Sequence, residues 1–183
     1  MKRIAFILAA LAALGLTACA QKKETKTEGK VLVAYFSATG TTEEAARKVA
    51  AATGGTLYEI RPVAAYTADD LDWNDKGSRS SREMDDTASR PGIVADLSDA
   101  ATYDVVYLGF PIWWGVAPRV VNTFVEQYDL AGKTVVPFAT SGGSGIDGAV
   151  SALREAYPGV KWQDGKLLNG MSQEDVNEWI QNR

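Results

Sequence analysis

Apolar residues recur along this chain with two different spacings, and the spacing changes at clusters of small polar residues. A continuous apolar run at 31–36 stops at a Ser/Thr/Gly cluster, which is typical of a strand that is buried on both faces. From 42 to 53 the apolar residues instead fall on one helical stripe, and two glutamates occupy the first turn, where the helix dipole favours them. A strand and a helix are therefore predicted at the start of the periodic region.

The same alternation continues towards the end of the chain. Further strands are predicted at 56–60, 104–110, 134–140 and 162–168, and further helices at 118–128, at 147–156 and after Ser172. Pro137 weakens the prediction for its strand, because a proline removes a ladder hydrogen bond. Ser172 and Asp175 have the spacing of a capping box and predict the start of the last helix. Five strands interleaved with helices predict a three-layer, doubly wound α/β domain with a parallel sheet.

Residues 62–91 form the one segment of the domain that has no apolar period. The segment is rich in aspartate and arginine, so the sequence predicts a long irregular excursion between the second and third strands. Loops of this length in compact domains are usually functional or disordered. Two interpretations stay open, a lid over a site and a solvated surface of mixed charge.

The first 18 residues predict a secretory signal peptide. Two basic residues precede an apolar run at 4–14, which is too short to span a membrane, since a spanning helix needs roughly 20 apolar residues. The run ends in Leu-Thr-Ala-Cys at 16–19, which resembles the lipobox of bacterial lipoprotein signals. Cys19 is therefore expected to carry lipid and to anchor the exported protein on the periplasmic or cell-surface side of a bacterial membrane. The alternative is an ordinary signal peptide with an incidental cysteine.

Residues 19–29 are polar and lack a hydrophobic period, which predicts a flexible tether between the lipid and a folded domain at 30–183. The composition then limits what this domain can do. The 183 residues include no histidine and one cysteine, which excludes a Ser-His-Asp triad, a Cys-His pair, histidine-ligated metals and a disulfide framework. Neither a metal site nor a catalytic side chain is predicted, and a net charge of −4 argues against nucleic acid as a partner. Redox or group-transfer chemistry would therefore need a bound cofactor.

Three loops at the carboxyl ends of predicted strands carry the candidate chemistry. The first loop, Ser-Ala-Thr-Gly-Thr-Thr at 37–42, places hydroxyls and free N–H groups at a helix N-terminus, which suits a phosphate dianion. It lacks the lysine of nucleoside-triphosphate loops, so a monophosphate held by neutral donors is expected. The alternative is a Ser/Thr-rich helix cap without a ligand.

The other two loops offer a flat wall and a set of backbone groups. Residues 111–115, Pro-Ile-Trp-Trp-Gly, predict an aromatic wall for a planar heterocycle, although core packing accounts equally well for at least one of the two tryptophans. Residues 140–145, Thr-Ser-Gly-Gly-Ser-Gly, supply N–H and C=O groups that a pyrimidine-like edge can use. The three loops together predict one binding site at the carboxyl edge of the sheet.

These motifs resemble those of flavodoxins. The first loop is similar to the flavodoxin phosphate motif, and the other two resemble flavodoxin-like bacterial lipoproteins and secreted proteins. The resemblance extends from 30 to 180 and implies a five-stranded parallel sheet of order 2-1-3-4-5 with FMN at its carboxyl ends. It implies cofactor-binding roles in three groups: Ser37, Thr39, Gly40, Thr41 and Thr42 at the phosphate; Pro111, Ile112, Trp113, Trp114 and Gly115 beside the ring; and Ser141, Gly142, Gly143 and Gly145 at the ring edge.

The resemblance also implies a function, electron transfer to a redox partner protein or a small acceptor through one- or two-electron cycling of FMN. A peptide near Gly115 is expected to turn its carbonyl towards the reduced flavin, since glycine permits the required dihedral angles. The third loop lacks the aromatic residue usual in short electron-transfer flavodoxins. One flavin face is therefore expected to be open, or to be covered by Tyr66 or Trp73.

An open flavin face supports a second interpretation, an FMN-dependent reductase of quinones or similar small acceptors. A third interpretation is a flavodoxin-like module that binds a partner without any cofactor. Residues 143–148 also match the dinucleotide fingerprint G-x-G-x-x-G. Only one strand and one helix are predicted after this match, fewer than a dinucleotide fold needs, so we interpret it as accidental.

Overall fold

The computed structural model describes residues 29–183, and the predicted signal peptide, Cys19 and most of the predicted tether lie outside them. The strands are β1 (Val31–Tyr35), β2 (Thr56–Glu59), β3 (Val105–Pro111), β4 (Thr134–Thr140), β5 (Lys161–Trp162) and β6 (Lys166–Leu167). The helices are α1 (Thr41–Thr53), α2 (Arg79–Asp85), α3 (Arg119–Gln127), α4 (Asp147–Ala156) and α5 (Gln173–Gln181), with short 3-10 turns at Asp69–Leu71 and Ala100–Thr102. No helix in the described range is long and apolar enough to cross a membrane.

The sheet is parallel, with the order β2-β1-β3-β4-β5, and this confirms the predicted doubly wound topology. Leu32 of β1 pairs with Thr56 on one side and with Val106 on the other, so β1 lies inside the sheet. The order reverses direction between β1 and β3, and ligands of doubly wound domains bind at such a switch point. The carboxyl ends of β1, β3 and β4 therefore meet at the predicted site.

Alternate residues of β1 enter two separate hydrophobic cores, which explains why its sequence is apolar at every position. Leu32 and Ala34 pack in the core that α3 and α4 cover, whereas Val33 and Tyr35 pack in the core that α1 and α5 cover. All four residues are buried. The domain thus has the three predicted layers, with helices on both faces of the sheet.

The sheet edge beside β4 departs from the prediction of one continuous strand at 162–168. Two short strands, β5 and β6, share this position. The N–H of Gln163 donates to Val135 and that of Leu168 donates to Ala139, so these β4 residues face the edge. Pro137 faces the same side because it lies two residues from each of them, and it has no N–H to offer. The interruption therefore lies where the ladder lacks a donor.

The excursion at 62–91 contains regular structure, and the prediction of an irregular segment is wrong in this respect. The side chain of Ser78 caps α2 by accepting a hydrogen bond from the N–H of Ser81. At the other end, Nη2 of Arg119 donates to the carbonyl of Met84 over 3.0 Å and satisfies a group that the last turn leaves free. The base of the excursion is closed by an antiparallel bridge between Pro62 and Ile93. Contacts distant in sequence thus order this segment.

The helices that follow the strands begin and end within a few residues of their predicted positions. The predicted capping box of α5 is confirmed, because the Ser172 hydroxyl accepts from the Asp175 N–H while the Asp175 carboxylate accepts from the Ser172 N–H. The carboxylate accepts from the Ser172 hydroxyl as well as from the Ser172 N–H, and these two hydrogen bonds lower the pKa of Asp175 below its ordinary value. The signals that fixed the helices are local, which explains the agreement.

Gly109 of β3 is a position where the sheet has no space for a side chain. A Cβ atom at this residue would lie 2.3 to 3.0 Å from three ring atoms of Phe138, which is fully buried in β4. We therefore expect Gly109→Ala to lower the free energy of unfolding by about 2 kcal/mol or more, because overpacking strains a close-packed core. Urea denaturation followed by circular dichroism measures this change.

Gly159→Ala is the matched control, since its Cβ would have only an ordinary contact, 3.7 Å from Cβ of Ala131. We expect this variant to unfold close to the wild-type midpoint. Equal destabilisation by the two substitutions would contradict the packing described for β3 and β4.

Candidate functional site

A cleft of about 590 Å³ lies at the carboxyl edge of the sheet, and all three predicted loops contribute to it. This volume is in the range of small-molecule and cofactor sites. Ten of the predicted binding residues line it: Ser37, Thr39, Thr41, Thr42, Pro111, Ile112, Trp113, Trp114, Ser141 and Gly142. The lining does not include four predicted glycines: Gly40, Gly115, Gly143 and Gly145.

The cleft also has lining residues that the sequence did not identify as ligand-binding. Leu71 and Ser80 come from the excursion, and Asn169 follows β6. The Asn-Gly pair that follows the predicted strand at 162–168 is typical of a turn at a strand end. Asn169 could therefore have been assigned from the sequence to a loop at the edge of the sheet. Ser80 carried none, because only the tertiary position of α2 brings it to the cleft.

The first loop leaves the N-terminus of α1 open to the cleft. Gly40 is the N-cap residue, with φ +89°, and no side chain in the part of the chain that the structure describes caps the helix. The first helical hydrogen bond runs from the Glu44 N–H to the Gly40 carbonyl, and the N–H groups at 41–43 have no acceptor among the described residues. The hydroxyls of Thr39 and Thr41 lie 3.4 Å apart at the same end. The loop is thus equipped for an anion and does not form the alternative Ser/Thr cap.

Thr42 differs from the other hydroxyl residues of this loop because its side chain is already committed. It is 1% exposed, and its Oγ1 lies 2.8 Å from Oγ1 of Thr140. This buried hydrogen bond connects the first turn of α1 to the end of β4. Of the groups on Thr42, the backbone N–H is therefore the one left for a ligand.

The second loop is a tight hairpin that holds one tryptophan at the cleft mouth. Trp113 and Val116 exchange two N–H···O=C bonds of 3.0 Å, and the two residues between them have positive φ, +48° at Trp114 and +82° at Gly115. Positive φ at both central positions is the signature of a type I′ turn. A bulky residue in this region of φ is strained, and such strain concentrates at functional sites. Trp114 remains 53% exposed while lining the cleft.

The carbonyl of Gly115, in the segment where one peptide is predicted to turn, lies beside α4. Its oxygen is 3.4 Å from the position that a Cβ atom would take on Gly148. There is free space around Gly115 itself, since a Cβ there would meet no atom of the described residues within 4 Å. Backbone conformation, and not crowding, therefore selects glycine at this position.

Trp113 is the tryptophan of the pair that packs against the core, as one interpretation of the sequence required. Its ring meets Phe36 and Tyr66 edge to face, with centroid distances of 5.6 and 5.3 Å. The Tyr66 hydroxyl donates to Glu83, and burial together with this carboxylate raises the pKa of Tyr66 above its ordinary value. The guanidinium of Arg79 lies 4.1 Å from the centre of the Tyr66 ring. Tyr66 therefore supports the aromatic wall from behind.

Trp73 is the excursion tryptophan that reaches the cleft. It lines the cavity and is 72% exposed, whereas Tyr66 is not among the lining residues. Of the two residues predicted to cover an open flavin face, the structure thus brings Trp73 to the cleft. A ligand there would have Trp113 and Trp114 on one loop and Trp73 on another.

Among residues 29–183, no charged side chain lines the cleft. A phosphate would therefore be held by neutral donors and by the helix dipole, as the sequence predicts. The same lining combines an aromatic wall with the Gly142 backbone, which provides hydrogen-bonding groups for a heterocycle edge. These features fit the phosphate of FMN and the face and edge of its ring system.

The Thr42–Thr140 hydrogen bond predicts a measurable coupling between the first and third loops. We expect Thr42→Val to lower the free energy of unfolding by about 1 to 2 kcal/mol, because it leaves the buried Thr140 hydroxyl without a partner. The double variant Thr42→Val/Thr140→Val should lose less than the sum of the two single variants, since both buried hydroxyls are then gone. A double-mutant cycle in urea measures the coupling, and strictly additive losses would contradict it.

Comparisons with known proteins agree with this fold. The flavodoxin family pattern matches residues 30–183. A solved structure from Bacteroides uniformis, provisionally named a flavoprotein, is 59% identical, covers 84% of this chain and 98% of its own, and has a TM-score of 0.81. A similarly named structure from Bacteroides eggerthii is 54% identical, covers 84% and 96%, and also has a TM-score of 0.81.

A more distant solved structure, a flavoprotein in complex with FMN from Lactobacillus acidophilus, is 24% identical over 83% of this chain and 99% of its own, with a TM-score of 0.65. None of the curated proteins matches the sequence. The match to the family pattern extends over nearly all of the described residues and includes all three loops of the cleft. The chain therefore belongs to the flavodoxin family.

Proposed function

We propose that this protein is an FMN-binding electron-transfer protein. One observation carries the proposal: an uncharged cleft combines the open N-terminus of α1 with a tryptophan wall at the switch point of the sheet. Family membership and the FMN complex of the Lactobacillus acidophilus flavoprotein support the same cofactor. When bound, FMN supplies one- or two-electron cycling, which the side chains of this cleft do not offer.

The first loop binds the phosphate through the N–H groups at 41–43 and the hydroxyls of Ser37, Thr39 and Thr41. The positive end of the α1 dipole offsets part of the phosphate charge. Two glutamates in the first turn of α1 would repel the phosphate, but each forms an ion pair with a basic residue in the next turn of the helix. The Glu43–Arg47 pair measures 2.5 Å and the Glu44–Lys48 pair 2.8 Å. These pairs reduce the negative potential that reaches the phosphate.

The second and third loops bind the ring system. Trp113, held from behind by Phe36 and Tyr66, provides a wall that does not need to reorganise when the ligand enters. Binding to a preformed wall avoids the entropy cost of ordering side chains. The Gly142 backbone lies at the cleft and orients the ring through hydrogen bonds at its edge, whereas the Ser141 N–H and carbonyl are already paired with the Asn169 side chain.

A second candidate function is a reductase of quinones or similar small acceptors. The observation that favours it is the third loop, which contributes no aromatic side chain, together with Trp73, which is 72% exposed. A planar acceptor can stack at such an open side. Oxidation of a nicotinamide with a quinone present would favour the reductase, whereas turnover only with a partner protein would favour the carrier.

We place the protein outside the cytoplasm, anchored to a bacterial membrane by lipid on Cys19. The lipobox-like segment at 16–19 supports this location, and the polar residues at 19–29 provide a tether. More than one acyl chain gives stable anchoring, whereas a single chain binds reversibly. The redox partner or acceptor would then be met at the membrane surface.

The phosphate site predicts selective loss of FMN affinity when negative charge is added to the first loop. We expect Thr39→Glu to weaken FMN binding by about tenfold or more, because the carboxylate repels the phosphate and opposes the α1 dipole. Riboflavin, which has no phosphate, should bind with nearly unchanged affinity. Fluorescence titration of cofactor-free protein with each ligand gives the two dissociation constants.

Ala51→Glu provides the control, since Ala51 is exposed in the last turns of the same helix. It adds the same charge away from the cleft and should leave the ratio of FMN to riboflavin affinity unchanged. Equal weakening of both ligands by Thr39→Glu would argue against phosphate binding at this loop.

A further inference from the structure

The part of the third loop that follows β4, at 141–145, has no regular secondary structure, yet its backbone must hold a defined conformation to recognise a ligand edge. Part of its order is local, because Oγ of Ser141 accepts hydrogen bonds from the N–H groups of Gly143 over 3.1 Å and Ser144 over 2.7 Å. This turn folds the loop upon itself but does not attach it to the sheet. The attachment comes from a residue 28 positions later in the chain.

The Asn169 side chain binds both backbone groups of Ser141. Its Oδ1 accepts from the Ser141 N–H over 2.9 Å, and its Nδ2 donates to the Ser141 carbonyl over 2.8 Å. A carboxamide offers one acceptor and one donor side by side, as a peptide group does. The pair of hydrogen bonds therefore fixes both the position and the orientation of the loop entrance.

These bonds continue the parallel ladder by one further step. β4 and β6 pair at Ala139 and Leu167, and the Leu168 N–H donates to the Ala139 carbonyl over 2.9 Å. If the edge strand continued, its next backbone groups would pair with Ser141. The chain after β6 instead turns away from β4 at Gly170, with φ +65°. The Asn169 side chain takes the place of that missing backbone partner.

The segment that carries Asn169 is itself held on both sides. Leu168 is buried in the core below α1 and α5. The Met171 carbonyl accepts from Nζ of Lys48 over 2.9 Å, so the segment is tied to the helix that begins at the first loop. Asn169 thus connects a rigid part of the domain to the third loop, and it also lines the cleft.

We propose that Asn169 is the positioning residue for the ring-edge loop, and that its paired hydrogen bonds to Ser141 set the affinity for the flavin ring. This inference rests on the proposed function. Asparagine meets the requirement because aspartate can accept from the Ser141 N–H but cannot donate to its carbonyl, and alanine can do neither. A protonated aspartate regains the donor and therefore reproduces the pattern of the amide.

Because protonation restores a donor to a carboxyl group, the variants Asn169→Asp and Asn169→Ala give a specific test. At pH about 7.5, we expect both variants to bind FMN and riboflavin about tenfold or more weakly than the wild type, since both lose a loop contact that orients the ring. At pH about 5, closer to the ordinary titration range of a carboxyl group, the difference in binding affinity between Asn169→Asp and the wild type should become smaller. The loss of binding affinity in Asn169→Ala should be the same at both pH values, because alanine has no group that can be protonated.

Asn182→Asp is the matched control, because it makes the same change at an exposed residue just after α5. It should bind both ligands as the wild type does at either pH. The introduced carboxyl of Asn169→Asp is the single titrating side chain in the described lining of the cleft. A narrowing of its deficit therefore reports protonation at residue 169.

A second readout does not need the cofactor. Amide hydrogen exchange at 142–145 in cofactor-free protein should speed up in Asn169→Ala, while exchange in β4 stays slow. Unchanged exchange, or wild-type affinity for both ligands in Asn169→Asp at pH about 7.5, would overturn the inference. Failure of the wild type to bind FMN would instead overturn the proposed function, and the exchange experiment would still decide whether Asn169 holds the loop.

Discussion

The site depends on β1 being buried on both faces and leading directly into α1 through a loop whose cap is a glycine. Burial in two cores fixes the strand, so the first turn of α1 has a fixed position at the carboxyl edge of the sheet. Because Gly40 has no side chain to cap the helix, the N–H groups at 41–43 remain available to a ligand. An anion can therefore be held without any cationic side chain in the cleft.

The other loops of the cleft are also held in place by contacts to neighbouring elements. The Thr42–Thr140 hydrogen bond connects the start of α1 to the end of β4, and Asn169 connects the loop after β4 to the edge of the sheet. The excursion supports the second loop, since Tyr66 packs against Trp113 and is itself held by Glu83. Each loop is thus fixed by a contact to another element, and the cleft is preformed before a ligand enters.

The features that could be predicted from the sequence are those with local signals. The apolar run at 31–36, the stripe of α1 and the capping box at Ser172 each depend on neighbouring residues, and the structure agrees with them. Three features depend on distant partners and were missed. α2 is seven residues long and has its last turn capped by Arg119. Pro137 of β4 lies beside the gap between the edge strands β5 and β6, which come later in the chain. Asn169 binds Ser141, which lies 28 positions earlier.

Whether this uncharged cleft holds FMN can be read from the visible absorption spectrum of the full-length protein purified from the membrane fraction of its source cells. We expect the two absorption bands of oxidised flavin, and denaturation should release about one FMN per chain. A protein without visible absorption that also fails to take up added FMN would rule out FMN binding in this cleft. It would favour a flavodoxin fold that acts by binding a partner alone.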